Sequence, residues 1–289
     1  MRAFEQTTLA KPATLVGAGL HSGAPCRAVL HPAPADYGVA FRLDGALIPA
    51  VPTAVVATPL CTTLAAGGRS VGTVEHLLAA LTIAGVDNAR VDLDAAEPPI
   101  LDGSAAPYVE AIERAGVVRL GAPRRSWRIA QPIEIRDGAR ALRAEPSERR
   151  ALAVSIEFDD AAIGAQTLTL DLDDPHDLAR LAGARTFCRL ADVAAMRAAG
   201  LGRGGSLDNA VVVDAGRVLN PAGLRDPAEF ALHKALDLVG DLRLLGSPVL
   251  ARITARRPGH EINARLVARL AAEGALDPAI AAAPAAAHA

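Results

Sequence analysis

Lysine is almost missing from this chain. Of its 289 residues, 30 are basic, yet only Lys11 and Lys234 are lysines and all the others are arginines. Aromatic residues make up just 3% of the chain, which excludes the stacking platforms that bind single-stranded nucleic acids. An excess of one charge is missing too: the 30 basic residues face 32 acidic ones, for a net charge of −2. Neither a general nucleic-acid binder nor a protein held on an anionic membrane by charge is built this way. Cysteine is scarce. Cys26, Cys61 and Cys188 are scattered and form no CxxC pair, so no disulfide framework is expected and a cytoplasmic, reducing compartment is. No run approaches the about 20 apolar residues that a spanning helix needs, and the first residues, Met1 to Thr8, lack the apolar region of a signal peptide.

What is abundant is aliphatic. Residues of hydrophobic type make up 51% of the chain, enough for one sizeable core or two ordinary domains. One stretch organises the rest, Asp226-Pro227-Ala228-Glu229-Phe230 through His233-Lys234 and Asp237 to Gly240-Asp241. It reads as a single helix with Asp226 as N-cap, Pro227 in the first position and Glu229 in a capping box. His233 and Asp237 are four apart and share a face. By itself such a pair is more often a solvated helix pair than a metal site. A second apolar helix begins Thr73-Val74-Glu75-His76-Leu77. An adjacent Glu-His can give a metal one ligand and leave a carboxylate beside its bound water. His76, His233 and Asp237 with one open position make a catalytic rather than a closed structural site. Zn2+ suits that set, and Fe2+ also accepts two histidines and a carboxylate. Lys234, a lysine in an arginine-rich chain, stands between two of these ligands, where a compact ammonium fits and a guanidinium does not.

Along the chain, strands are expected over 7–9, 13–16, 26–30, 39–43, 60–64 and 89–93, with helices at the Glu75-His76 stretch and over 106–115. Gly121 to Arg125 reads as a linker. The order then repeats: strands over 127–135, 141–144, 151–158, 167–172, 210–213 and 249–255, with helices over 192–199, 226–241 and 261–273. Two α+β domains fit this order, 1–121 with Glu75 and His76, and 126–274 with His233 and Asp237. The Ala/Pro-rich tail, 275–289, is expected to be disordered. The loop Gly17-Ala18-Gly19-Leu20-His21-Ser22-Gly23 has the wrong glycine spacing for a dinucleotide fold, and Pro25 stops a helix there.

Six motifs occur in order: Thr73 to Leu77; Asp102-Gly103-Ser104-Ala105-Ala106-Pro107; Ala184-Arg185-Thr186-Phe187; Gly205-Ser206-Leu207-Asp208-Asn209-Ala210; His233-Lys234-x-x-Asp237-x-x-Gly240-Asp241; and Gly259-His260-x-x-Asn263. Together they resemble the UDP-3-O-acyl-N-acetylglucosamine deacetylases, the zinc amidases of lipid A biosynthesis, over roughly residues 4 to 270. The resemblance implies two β-α-α-β domains with helices sandwiched between two sheets. It also implies a cytoplasmic enzyme that acts on a UDP-linked acyl-aminosugar, with monomer as the default assembly.

It assigns Glu75 as general base, His260 as general acid supported by Asp241, and Thr186 as a hydroxyl donor to the oxyanion. Phe187 would pack on the nucleotide, Lys234 would meet a polar or phosphate group, and Cys61 would lie near the substrate. The segment from about Leu190 to Gly205 would line an acyl passage with Val193, Met196 and Leu201, and Ala210 would follow it. The resemblance also places His21 on the site side of its loop, while His31 and His176 match nothing and read as surface residues. Cys188 and Leu207 depart from the family's common Gly and Phe, which bears on substrate contacts and not on the reaction. Two other readings remain open: a zinc amidase for another N-acyl sugar, and a metal-stabilised binding protein without turnover.

Overall fold

A computed structural model describes residues 5–57, 59–272 and 275–280 of the chain. Two sheets dominate it. The first has five strands in the order Ala13–Ala18, Pro25–Pro32, Ala89–Leu93, Val39–Leu43 and Ala46–Pro49. Its central strand, Ala89–Leu93, alternates buried and half-buried residues, the pattern of a strand with one face on a core. The second sheet has seven strands. Val249–Arg256 lies inside it, antiparallel to Arg140–Pro146 and parallel to Ala151–Glu157. A three-stranded insert, Phe187–Arg189 with Val211–Asp214 and Arg217–Val218, stands apart.

The described residues form six α-helices: α1 (Glu75–Ile83), α2 (Ala106–Ala115), α3 (Pro175–Gly183), α4 (Leu190–Ala198), α5 (Glu229–Leu242) and α6 (His260–Ala271). The architecture is α+β, as the alternation of strands and helices predicts. α2 packs on the strand Ala13–Ala18, and α5 packs on Ala151–Glu157 and Ala165–Asp171. α1 and α5 lie against each other between these layers. Nearly every residue of α5 is buried, and α1 is buried from Glu75 to Leu81. A helix buried on all faces needs apolar residues all round, which Leu77, Leu78, Ala79, Ala80 and Leu81 provide. The helices cross at Gly240, where a Cβ would come within 2.1 Å of the Glu75 carbonyl oxygen. Only glycine permits that approach.

Several expectations change. The expected linker at 121–125 is mostly strand: Val117–Pro123 pairs with Glu5–Leu9, and Arg124 pairs with Asp87 at 2.9 Å. The expected strand over 127–135 is two, Arg125–Ile129 and Ile133–Asp137, separated by Ala130, Gln131 and Pro132. In the tail taken as disordered, Leu276–Ile280 pairs antiparallel with Arg125–Ile129; the unpaired edge of that strand outweighs the tail's composition. Residues 281–289 lie outside the described residues. α3 was not expected, although Asp174 caps it by accepting from the backbone N–H groups of His176 and Asp177, and Pro175 opens it. α5 starts at Glu229, two residues after the expected first position Pro227, with no side-chain cap. Asp226 instead takes the Ala228 N–H and pairs with Arg180, and Glu229 turns inward to Arg185.

Candidate active site

The α1–α5 crossing brings His76 and Glu75 against His233 and Asp237. His233 Nε2 is 3.3 Å and His76 Nε2 4.0 Å from Asp237 Oδ1. One ligand-type atom from each of His76, His233 and Asp237 lies within 4.8 Å of the others, and all three residues are buried. Asp237 Oδ1 is buried with no hydrogen-bond partner, an arrangement that costs several kcal/mol for a carboxylate unless a cation satisfies it. His233 Nδ1 lies 3.1 Å from the Ala184 carbonyl oxygen. That contact places the proton on Nδ1 and leaves the Nε2 lone pair facing Asp237. The His76 ring meets the His233 ring edge-on, with centroids 5.1 Å apart.

Electrostatics put each group in the form a metal needs. Burial, with the neighbouring His233, lowers the His76 imidazole to about 3. Burial likewise keeps His233 neutral. Burial alone would raise Asp237, but His233, Lys234, His260 and His76 outweigh it and hold the carboxyl far below its usual range. Two neutral imidazoles and an ionised carboxylate fit a divalent metal ion.

A second group adjoins the first. Glu75, the first residue of α1, does not cap its helix: its Oε2 accepts the Thr62 N–H at 3.0 Å. Its Oε1 is 3.6 Å from His260 Nε2. His260 opens α6 and is buried, not the loop residue its Pro-Gly neighbourhood suggests. Its Nδ1 is 3.1 Å from Asp241 Oδ2, which also accepts from Asn263 Nδ2 at 2.9 Å. Burial raises the Glu75 carboxyl well above the ordinary range. Burial works against the His260 imidazolium, but Glu75, Asp241 and Asp237 around it prevail and raise its pKa. Buried groups perturbed in this way mark acid–base sites.

A cavity of about 580 Å³ opens onto both groups. Thr186, Phe187, Lys234 and Ala210 line it, as do His21, Val193 and Met196 and the two departures, Cys188 and Leu207. Cys61 is not on its wall; its Sγ lies 3.8 Å from the Thr63 hydroxyl. Lys234 Nζ donates to Asp237 Oδ2 at 2.9 Å and lies 5.4 Å from the centre of the Phe187 ring. His176 is exposed, as expected, while His31 is half-buried and pairs with Asp92 at 3.1 Å.

A family model described as UDP-3-O-acyl N-acetylglycosamine deacetylase matches residues 6–272. The chain belongs to this family. It is 46% identical over 275 residues to the UDP-3-O-acyl-N-acetylglucosamine deacetylase of Anaeromyxobacter sp. (strain Fw109-5), an alignment that covers 94% of this chain and 90% of the relative. The deacetylase of Phenylobacterium zucineum (strain HLK1) is 46% identical over 273 residues, covering 92% and 93%. That of Xanthomonas oryzae pv. oryzae (strain PXO99A) is 42% identical over 277 residues, covering 94% and 91%.

Three supports of this deacetylase-family site escaped the sequence reading. Glu97 is buried and accepts from the His21 and Ser22 N–H groups and the Thr73 and Ser22 hydroxyls. It thereby ties the His21 loop to Thr73, whose positive φ of 52° leads into α1. Arg185 makes a two-pronged ion pair with the fully buried Glu229, at 2.8 and 3.1 Å, which holds Thr186 and Phe187 beside the start of α5. Thr62 reaches Glu75, Asp241 and His260. An acid at 97 between Ala96 and Pro98, and one at 229 that reads as a capping acid, were the only local traces of the first two, and neither reveals its partner. A threonine beside a strand carries none. At the turn of Asp102 and Ser104, the Thr186 N–H donates to the Gly103 carbonyl at 2.8 Å.

Proposed function

We propose that this chain hydrolyses the N-acetyl group of UDP-3-O-(3-hydroxyacyl)-N-acetylglucosamine, releasing acetate, as a zinc-dependent step of lipid A biosynthesis. Family membership supports the amide hydrolysis and the UDP-sugar substrate. The observation that carries the mechanism is the 3.6 Å approach of Glu75 Oε1 to His260 Nε2 beside the orphaned Asp237 oxygen. His76, His233 and Asp237 would hold the zinc, with iron(II) as the competing ion for the same donors. When bound, the metal supplies a Lewis acid and a water of lowered pKa.

The chain's own residues supply the proton transfers. Glu75 takes a proton from the attacking water. The Thr186 hydroxyl donates to the oxyanion that develops on the former acetyl carbonyl. His260 passes its Nε2 proton to the departing amine nitrogen, and the Asp241 carboxylate on the opposite side of the ring sustains the imidazolium. Lys234 receives a polar or phosphate group, and Phe187 packs on the nucleotide. The 190–205 segment and Ala210 face the acyl chain, with Cys61 at the Glu75 end. The domain division at 121–126, the monomeric state and the cytoplasmic location belong to the same proposal; no helix among the described residues is long and apolar enough to cross a membrane.

The test is acetate release from a panel of UDP-linked and free N-acetyl sugars, with and without the 3-O-acyl chain. The proposal expects the acylated UDP-sugar to give the highest kcat/KM. Equal or better turnover of a sugar without uridine diphosphate would overturn the substrate assignment.

A further inference from the structure

Thr62 immediately precedes the strand Thr63–Ala66 and is 1% exposed. Its hydroxyl donates to Asp241 Oδ1 at 2.5 Å and lies 3.3 Å from His260 Nδ1. The same Nδ1 is 3.1 Å from Asp241 Oδ2. A hydroxyl has one proton to donate and lone pairs to accept with, so one proton pattern satisfies all three contacts. The Thr62 proton goes to Asp241 Oδ1. The His260 Nδ1 proton goes to Asp241 Oδ2, with the Thr62 oxygen as a second acceptor. Asn263 fills the remaining place on Oδ2 at 2.9 Å. This pattern fixes the imidazole plane and leaves Nε2 directed at Glu75 Oε1, 3.6 Å away. Meanwhile the Thr62 backbone N–H holds the other oxygen of Glu75 at 3.0 Å.

We propose that Thr62 is the positioning residue that sets the general acid and the general base relative to each other: its side chain orients His260 through Asp241, and its main chain orients Glu75. The inference rests on the reading of Glu75 and His260 as base and acid. Thr62 does not line the cavity, so its effect falls on turnover and not on substrate binding.

The test compares Thr62→Val, which keeps the shape and the main-chain N–H but loses the hydroxyl, with Thr62→Ser, which keeps both donors. Thr62→Val is expected to lower kcat roughly 10- to 100-fold, the worth of a lost hydrogen bond to a charged group, with KM unchanged. Thr62→Ser is expected to recover most of kcat. In a His260→Ala background, Thr62→Val is expected to lower kcat no further, because the group it positions is gone.

If Thr62→Val keeps full kcat while His260→Ala has lost it, the proposal is wrong and the acid–base reading stands. An equal Thr62→Val loss in both backgrounds overturns it as well, since the hydroxyl then acts independently of His260. If His260→Ala itself keeps full kcat, the acid–base reading falls and takes the proposal with it. Should Thr62→Val not fold, Thr62→Cys, a weak donor of similar size, replaces it with the same expected outcomes.

Discussion

Replacing Gly240 by alanine should damage the site through the Glu75 backbone, without touching any of its reacting side chains. The added Cβ would sit 2.1 Å from the Glu75 carbonyl oxygen, against a floor of 3.0 Å for real contacts of this kind. Because α1 and α5 are both buried, neither can swing aside, and the helices must part by about 0.9 Å, the difference between those two distances. Overpacking of this kind costs about 1–3 kcal/mol of stability. The consequence for function is larger. His76 and Glu75 ride on α1, while His233 and Asp237 ride on α5, so the displacement falls across the donor set. Metal donors tolerate about 0.2 Å, and misplacement of reacting groups by about 1 Å costs about 100-fold in rate. Gly240→Ala should therefore remain folded at 25 °C, bind metal more weakly and lose about two orders of magnitude in kcat. Thermal unfolding, metal content after dialysis and acetate release check these in turn. A Gly240→Ala protein with unchanged metal content and turnover would refute the claim that this helix crossing sets the site.

Other perturbations have definite signs. Arg185→Met leaves the fully buried Glu229 with only the Arg185 and Arg225 backbone N–H groups. Breaking a buried pair costs about 3–5 kcal/mol, to be measured by urea unfolding at neutral pH; a loss below about 1 kcal/mol would contradict that value. Glu97 is expected to control acid stability. Burial opposes its ionisation, but the His21 and Ser22 N–H groups and the Thr73 and Ser22 hydroxyls win and lower its pKa. A depressed folded pKa contributes stability that is present above the unfolded value, about 4.3, and lost as pH falls through the folded one. Glu97→Gln should thus be less stable at neutral pH and show a flatter decline below pH about 4.5, read from unfolding midpoints across pH. A parallel decline in both proteins would remove Glu97 from that role. Glu75→Gln, which keeps the Thr62 contact but cannot take a proton, should reduce kcat by about 100- to 10,000-fold with little change in KM; full activity would dismiss Glu75 as the base.

Much of this arrangement was legible before the fold was known, and the reasons are local. The helix over 106–115 reads directly because its amphipathic run ends at Gly116, whose φ is 79°. The strand Ala89–Leu93 reads from its alternation. His76, His233 and Asp237 stand in motifs whose residue types already suit a metal. What could not be read is what distant segments do to one another. Glu229 looks like a capping acid until Arg185 is seen to claim it. Leu276–Ile280 has the composition of a tail and becomes a strand because Arg125–Ile129 offers it an edge. α3 was readable, since Asp174-Pro175 is a helix start, but its short amphipathic run is easily taken for a loop. The role of Thr62 depends on partners 179 and 198 residues away, and no local pattern encodes that.

The most direct test of the central claim is acetate release from UDP-3-O-acyl-N-acetylglucosamine by the protein before chelation, after chelation and after zinc is restored, with His233→Ala alongside. The account predicts loss on chelation, recovery with zinc, and a variant that neither retains metal nor turns over. Activity indifferent to chelation, or an active His233→Ala, would contradict the assignment of His76, His233 and Asp237 as the metal site on which the chemistry depends.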